Sequence, residues 1–108
     1  SLTMIRAEFF SRHGGLVGFC ISGHAGSGET GHDIVCAADS SAAYLTANTI
    51  TDVIGANAAV CIKGGRMSLQ ISEHDIVPCR DLLKGFQIHM VSLSKQYPKN
   101  ISLIDMEV

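Results

Sequence analysis

The sequence predicts an α+β domain of order ββαββαβ, a mainly antiparallel sheet with two helices packed on it. Three observations lead there. Alternating apolar runs face each other across glycine turns, at residues 13–15 and again at 64–65. Two longer stretches carry apolar residues at helical spacing and are bounded by capping or proline signals. Strand-like runs follow each helix, with no internal repeat, low-complexity tract or linker. At 108 residues, 46% hydrophobic and 17% charged, the chain 1–108 reads as one globular domain with a single core.

Residues 3–10, TMIRAEFF, and 16–22, LVGFCIS, are predicted strands joined by a turn around His13-Gly14-Gly15. In the second, Val17, Phe19 and Ile21 alternate with smaller or polar neighbours, the period of a half-buried strand. Residues 34–55 are predicted to be helical. Ala38, Ala42, Leu45, Thr49 and Val53 make the apolar stripe, widened by Ala43, Ala47, Ile50 and Ile54. So many alanines imply a helix packed closely on more than one side. Asp33 is the expected N-cap and Gly55 the expected stop.

AAVCIKGGRMSLQIS then reads as a two-residue hairpin on Gly64-Gly65, with Met67, Leu69 and Ile71 on one face. A second helix opens near Pro78 and closes before Pro98. Leu82, Phe86, His89 or Met90, Leu93 and Tyr97 form its apolar side. ISLIDMEV is a last strand.

Charge and hydropathy exclude some functions. A net charge of −2 supplies no basic face for nucleic acid, although it tolerates a basic peptide. No apolar run approaches the roughly 20 residues that cross a bilayer, and no leader pattern is read at the start. Cys20, Cys36, Cys61 and Cys79 contain no C-x-x-C pair, so the expectation is free thiols in a cytoplasmic protein.

The chemistry centres on GHAGSGETGHDIVC, Gly23 to Cys36. Gly26, Gly28 and Gly31 spell G-x-G-x-x-G between a strand and a helix. A dinucleotide fingerprint, however, turns straight into its helix and leads on to a parallel strand. Here all three glycines precede Asp33, and a hairpin follows the helix. His24, His32, Cys36 and Asp33 could offer metal ligands, but a loop with five glycines is a poor cage, and no metal or cofactor is expected. A cysteine nucleophile fits better. With Asp33 as cap, Cys36 falls in the first helical turn, where free N–H groups and the dipole favour a thiolate and can receive an oxyanion. His24, at the far end of the loop, is placed to act as the base, and the intervening glycines let the loop open and close as a gate. The bland alternative is a packing cysteine after a long connection.

GFCISGHAGSGETGHDIVCAADSS resembles the ribosomal-processing cysteine proteases, the Prp family, in its Gly-His-Ala strand end, glycine-rich loop and Asp-Ile-Val-Cys-Ala-Ala. The length and element order are similar as well. The resemblance implies Cys36 as nucleophile and His24 as base, with Asp33 and Ser40 in supporting positions. Ser40 lies i+4 from Cys36, on the same helix face. Asp39 departs from the pattern, where relatives carry an apolar residue. The implied substrate is the precursor of large-ribosomal-subunit protein twenty-seven, cut after paired aromatic residues, and the implied assembly is a homodimer. A function of another class, a non-catalytic ribosome-associated binding module, stays open at this point.

Rivals exist for both roles. His32 adjoins Asp33 and is a second candidate base. Cys79 follows Pro78 at a helix start, with His74 and Asp75 upstream, though a packing role is preferred for it. Cys20 and Cys61 are expected in the core or on a sheet face. His13 is expected in a solvated turn, and His89 on the buried side of the second helix.

Overall fold

The structure, a computed structural model, describes residues 4–23 and 30–108, with the backbone alone at 30–34. The elements are β1 (Ile5–Arg12), β2 (Gly15–Ser22), α1 (Thr30–Asn48), β3 (Ala58–Lys63), β4 (Arg66–Ile71), α2 (Ile76–Gln96) and β5 (Ile101–Glu107). They form one five-stranded sheet in the order β3-β4-β2-β1-β5. Every neighbouring pair is antiparallel except β1 and β5. This is the ββαββαβ order and the α+β class that the sequence predicts.

Both hairpins turn on two residues. Arg12 pairs with Gly15, leaving His13 and Gly14 at φ 53° and 79°. Lys63 pairs with Arg66, leaving Gly64 and Gly65 at φ 57° and 76°. Positive φ at both central residues matches the twist of the flanking strands, which is why glycine is favoured there. The first turn is one residue tighter than the sequence suggests, because Gly15 already pairs in β2.

The core is shared by one sheet face and both helices. Ala7, Phe9, Phe19, Ile21, Met67 and Leu69 from the sheet join Val35, Ala43 and Ala47 of α1, Ile50 just beyond it, and Leu83, Phe86, Met90 and Leu93 of α2. Phe86 locks α2 to the sheet, its ring edge-on to Phe19 at 4.8 Å and to Phe9 at 5.5 Å between centroids. Such pairs add to the burial of the rings themselves.

The first helix departs from the sequence reading in three ways. It begins at Thr30 rather than 34. The α-helical part ends at Asn48 and continues as a π-helical segment, Thr49–Ile54, before Gly55 closes it at φ 72° as expected. The hydroxyls of Thr46, Thr49 and Thr51 donate to the carbonyls of Ala42, Leu45 and Ala47, four residues back, a pattern that bends helices. Its buried stripe is Val35, Asp39, Ala43, Ala47 and Ile50, whereas Leu45 is 67% exposed and Val53 78%. The stripe drawn through Ala38, Leu45 and Val53 is therefore rotated from the true one.

The second helix begins at Ile76, which makes Pro78 its third residue, where an α-helix has no use for the missing N–H. Cys79, Leu83, Phe86, Met90 and Leu93 are buried. Met90, not His89, faces inward, and His89 is exposed, contrary to expectation. Ser72 Oγ and the backbone N–H of Asn57 both donate to Asp75 Oδ2, tying the ends of the β3–β4 hairpin to the start of α2. Replacing Phe86 with Ala should destabilise the fold by about 3–5 kcal/mol, the usual result of emptying a buried aromatic site. Urea unfolding checks this, with Phe86→Leu expected to lose much less.

Candidate active site

The register of the sheet sets the site. Ala7, Ile21, Met67 and Ile62 pair in sequence across β1, β2, β4 and β3, forming one row on the helix-bearing face. The helices cover the inner part of that row, but Ile62, on the edge strand, is 55% exposed. Between the row and α1 opens a cleft of about 200 Å³. Ile21, Met67, Ile62, Gly65 of the hairpin turn and Arg66 form its sheet side, and Cys36, Asp39, Ser40, Ala43 and Tyr44 its helix side. The spacing 36, 39, 40, 43 is the i, i+3, i+4, i+7 pattern of a single helix face. Gly23 lies at the rim, with φ 80°, in a position where any side chain would strike the Met4 carbonyl.

Cys36 and Ser40 therefore share one cleft, both half-buried. The helix start does not lie where the sequence reading puts it. With Thr30 as the first helical residue, Asp33 is the fourth and Cys36 the seventh. Asp33 is thus inside the first turn and not the N-cap, and Cys36 belongs to the second turn. The dipole acts mainly within the first turn, and the N–H of a second-turn residue is already bonded within the helix. The helix start therefore does not lie beside the sulfur, and contrary to the expectation from sequence it supplies neither thiol activation nor an oxyanion site there. Gly31 is also helical, so the loop is shorter than predicted. His24, Gly26 and Gly28 lie outside the described residues, as do the side chains of His32 and Asp33.

Sequence reasoning missed the place of Asp39. It stands on the buried stripe, four residues after Val35 and four before Ala43, and is 3% exposed. Its Oδ1 has no hydrogen-bond partner among the described residues. Burial pushes the carboxyl up from 3.8 to about 7, because a desolvated carboxylate is disfavoured relative to the neutral acid. The signal was present in the sequence, as a charged residue at helical spacing from Val35 and Ala43, but the rotated stripe hid it. The linkage has a definite sign. The folded chain holds this proton more tightly than the unfolded one, so stability is fully present below about pH 4 and falls as pH rises towards about 7. The loss approaches roughly 1.4 kcal/mol per pH unit at most. Urea midpoints for Asp39→Asn and the parent chain should therefore converge at about pH 4 and separate by about pH 8, with the variant the more stable. Equal pH slopes would show that Asp39 is solvated.

The other cysteines lie elsewhere. All four are free thiols. Cys79 is fully buried, and burial, followed by the Asp75 carboxylate, raises its thiol, the reverse of what a nucleophile needs. It is a packing residue, as preferred from the sequence. Cys20 is buried in β2, and Cys61 is exposed on β3. Among the described residues, no group of three or more His, Cys, Asp or Glu is placed to hold a metal ion, and no helix is long and apolar enough to cross a membrane. The metal set considered from sequence falls largely on residues outside those described. A larger apolar groove of about 560 Å³ runs between α1 and α2, lined by Ala42, Leu45, Leu82, Phe86, Asp81 and His89 among others. It contains no cysteine.

Solved structures share this architecture. SMU.848 from Streptococcus mutans superposes with a TM-score of 0.86 at 28% identity, covering 98% of this chain and 97% of its own. The ribosomal processing protease Prp from S. aureus, in complex with a substrate peptide, gives a TM-score of 0.86 at 23% identity over 95% of this chain and 100% of its own. The same S. aureus protease with a covalently linked product peptide gives 0.84 at 24%, with the same coverage. Identities of 23% and 24% establish a common fold. No relative among curated proteins matches the chain. The sequence itself matches the family model of cysteine protease Prp across residues 4–102, a span that begins before β1 and reaches into β5. The chain belongs to the cysteine protease Prp family.

Proposed function

We propose that this chain is the endopeptidase that removes the amino-terminal extension from the precursor of large-ribosomal-subunit protein twenty-seven, with Cys36 as nucleophile and His24 as general base. The observation that supports it most is the family membership of residues 4–102, which include the whole Gly23–Cys36 segment. The S. aureus relatives, a ribosomal processing protease with a substrate peptide and with a covalently linked product peptide, support the substrate class and a covalent step. Cys36 in a cleft large enough for a side chain supports its role, whereas Cys79, fully buried in the first turn of α2, has no room for a peptide.

In this reading His24 takes the proton from the Cys36 thiol, and the sulfur attacks the scissile carbonyl carbon. The C–N bond then breaks, and the leaving amine takes the proton back from His24. Water, deprotonated by the same histidine, opens the thioester and frees the enzyme. With the helix start a full turn from the sulfur, activation of the thiol falls to the base. Ser40, one turn beyond Cys36, is proposed to support the reacting group through its hydroxyl, and Asp33 to support the site from the first turn. Gly26, Gly28 and Gly31 are proposed to give the connecting segment its freedom as a substrate gate. We also propose a cytoplasmic location, a reading supported by the free thiols and the ribosomal substrate class. We also propose a homodimer, supported by the exposed Leu45, Val53 and Ile88 on the outer helices, apolar surface of a kind that association covers.

Incubation with the extended ribosomal protein, read by mass spectrometry, should show one cut after the paired aromatic residues. Cys36→Ala should abolish it, while Cys61→Ser should leave it intact. His24→Ala should slow cleavage by about 100-fold or more, and His32→Ala far less. The reverse ranking would hand the role to His32. Full activity in Cys36→Ala would remove the cysteine mechanism, and uniform alkylation of all four thiols in the folded protein would favour a ribosome-associated binding module.

A further inference from the structure

One group in the cleft has no part in the chemistry above. Asp39 is 3% exposed, its Oδ1 has no partner among the described residues, and it lines the same 200 Å³ cleft as Cys36. Buried polar atoms are nearly always hydrogen-bonded, and one that is not calls for an explanation. The described residues do not supply one. At its place on the stripe, between Val35 and Ala43, an apolar residue would pack without loss.

What enters the cleft can supply the missing partner. Its volume suits one side chain rather than a length of peptide backbone. The chemistry of the lining narrows the choice. Ile21, Ile62 and Met67 offer an aliphatic side chain adequate burial but leave Oδ1 unpaired. Arg66 lines the same cleft, so an incoming lysine or arginine would meet like charge. An uncharged group that both donates and accepts suits a buried carboxyl whose titration, raised to about 7, leaves much of it as the neutral acid near neutral pH. A carboxamide does this reciprocally. Its NH2 donates to one carboxyl oxygen while its C=O accepts from the carboxyl O–H, with no net charge brought into an apolar site.

We propose that Asp39 is a substrate-recognition residue, forming with Ile21, Ile62, Met67 and Arg66 a subsite beside Cys36 that selects a carboxamide side chain, Gln or Asn, in the peptide being cut. The proposal deepens the protease reading and rests on it, because it takes the cleft to be where the peptide lies. It concerns specificity, leaving bond-making to Cys36. A site built to hydrogen-bond a substrate group rejects the analogue that lacks it, since its own buried polar atoms are then left unpaired.

The test uses peptides spanning the ribosomal-protein extension, with each position in turn replaced by Gln, Leu or Lys. Cleavage is measured for the parent chain and for Asp39→Leu. Binding is measured for Cys36→Ala and for Cys36→Ala with Asp39→Leu, so that affinity is read without turnover. At one position Gln should exceed Leu by about tenfold in kcat/KM and in affinity, equivalent to about 1.4 kcal/mol. The preference should vanish or reverse in the Asp39→Leu backgrounds. The melting temperature of Asp39→Leu should equal or exceed that of the parent, which separates loss of recognition from loss of fold. An unchanged Gln-to-Leu ratio in both backgrounds would overturn the proposal, and so would a preference for Lys at the same position. Asp39-dependent binding by a parent chain that cuts nothing would uphold the subsite and overturn the protease reading. Cleavage with no Asp39-dependent preference would do the opposite.

Discussion

The register that sets Ile21 beside Met67, and Met67 beside Ile62, is the constraint from which the rest of the molecule follows. A strand has a period of two, so a slip of one residue in β4 would turn Met67 and Leu69 outward and bring Ser68 and Gln70 into the core. The same register decides where the sheet ceases to be covered. Two helices span the inner strands but do not reach β3, and the uncovered end of the row becomes the sheet side of a cleft. The candidate nucleophile thus stands at the margin of the core, where one wall is fixed by packing and the other side is open to a chain. A fully buried cysteine, such as Cys79 in the core or Cys20 on the other face of the sheet, has no such opening.

Much of this was legible in the chain. Glycine pairs between alternating runs locate hairpins because few residues tolerate positive φ, and both turns lie within a residue of their expected places. The second helix was almost as clear, since Phe86 and Leu93 are large and spaced along one face. The first helix was harder to orient. Alanines at 37, 38, 42, 43 and 47 point in several directions, and Leu45, the largest apolar residue among them, drew the stripe towards itself. Leu45 faces outward. Small residues record how near a helix sits but not which side of it faces in.

The site was legible in kind but not in mechanism. The histidine, the glycines and the cysteine announce a family, whereas the helix start four residues earlier than expected changes what can activate the sulfur. Propensity places Asp33 at a cap because aspartate caps well, yet the backbone continues helical through Thr30. Asp39 was legible only as an oddity. Its meaning depends on which side of α1 is buried, and that is a tertiary fact.

The pairing of β1 with β5 has a consequence for how the chain comes into being. These strands run parallel, with Ile5 opposite Ile101 and Ser11 opposite Glu107, so the strand made first is completed by the strand made after α2. Until Ile101–Glu107 has been synthesised, β1 keeps an open edge, and Ile101, buried in the finished core, is missing from it. Contacts between residues so distant in sequence form late and slow the final step of folding. A nascent chain that stops short of β5 can close both hairpins and pack α1, yet it cannot seal the far side of its sheet. The cleft is then supported by an unfinished core until Ile101–Glu107 takes its place beside β1.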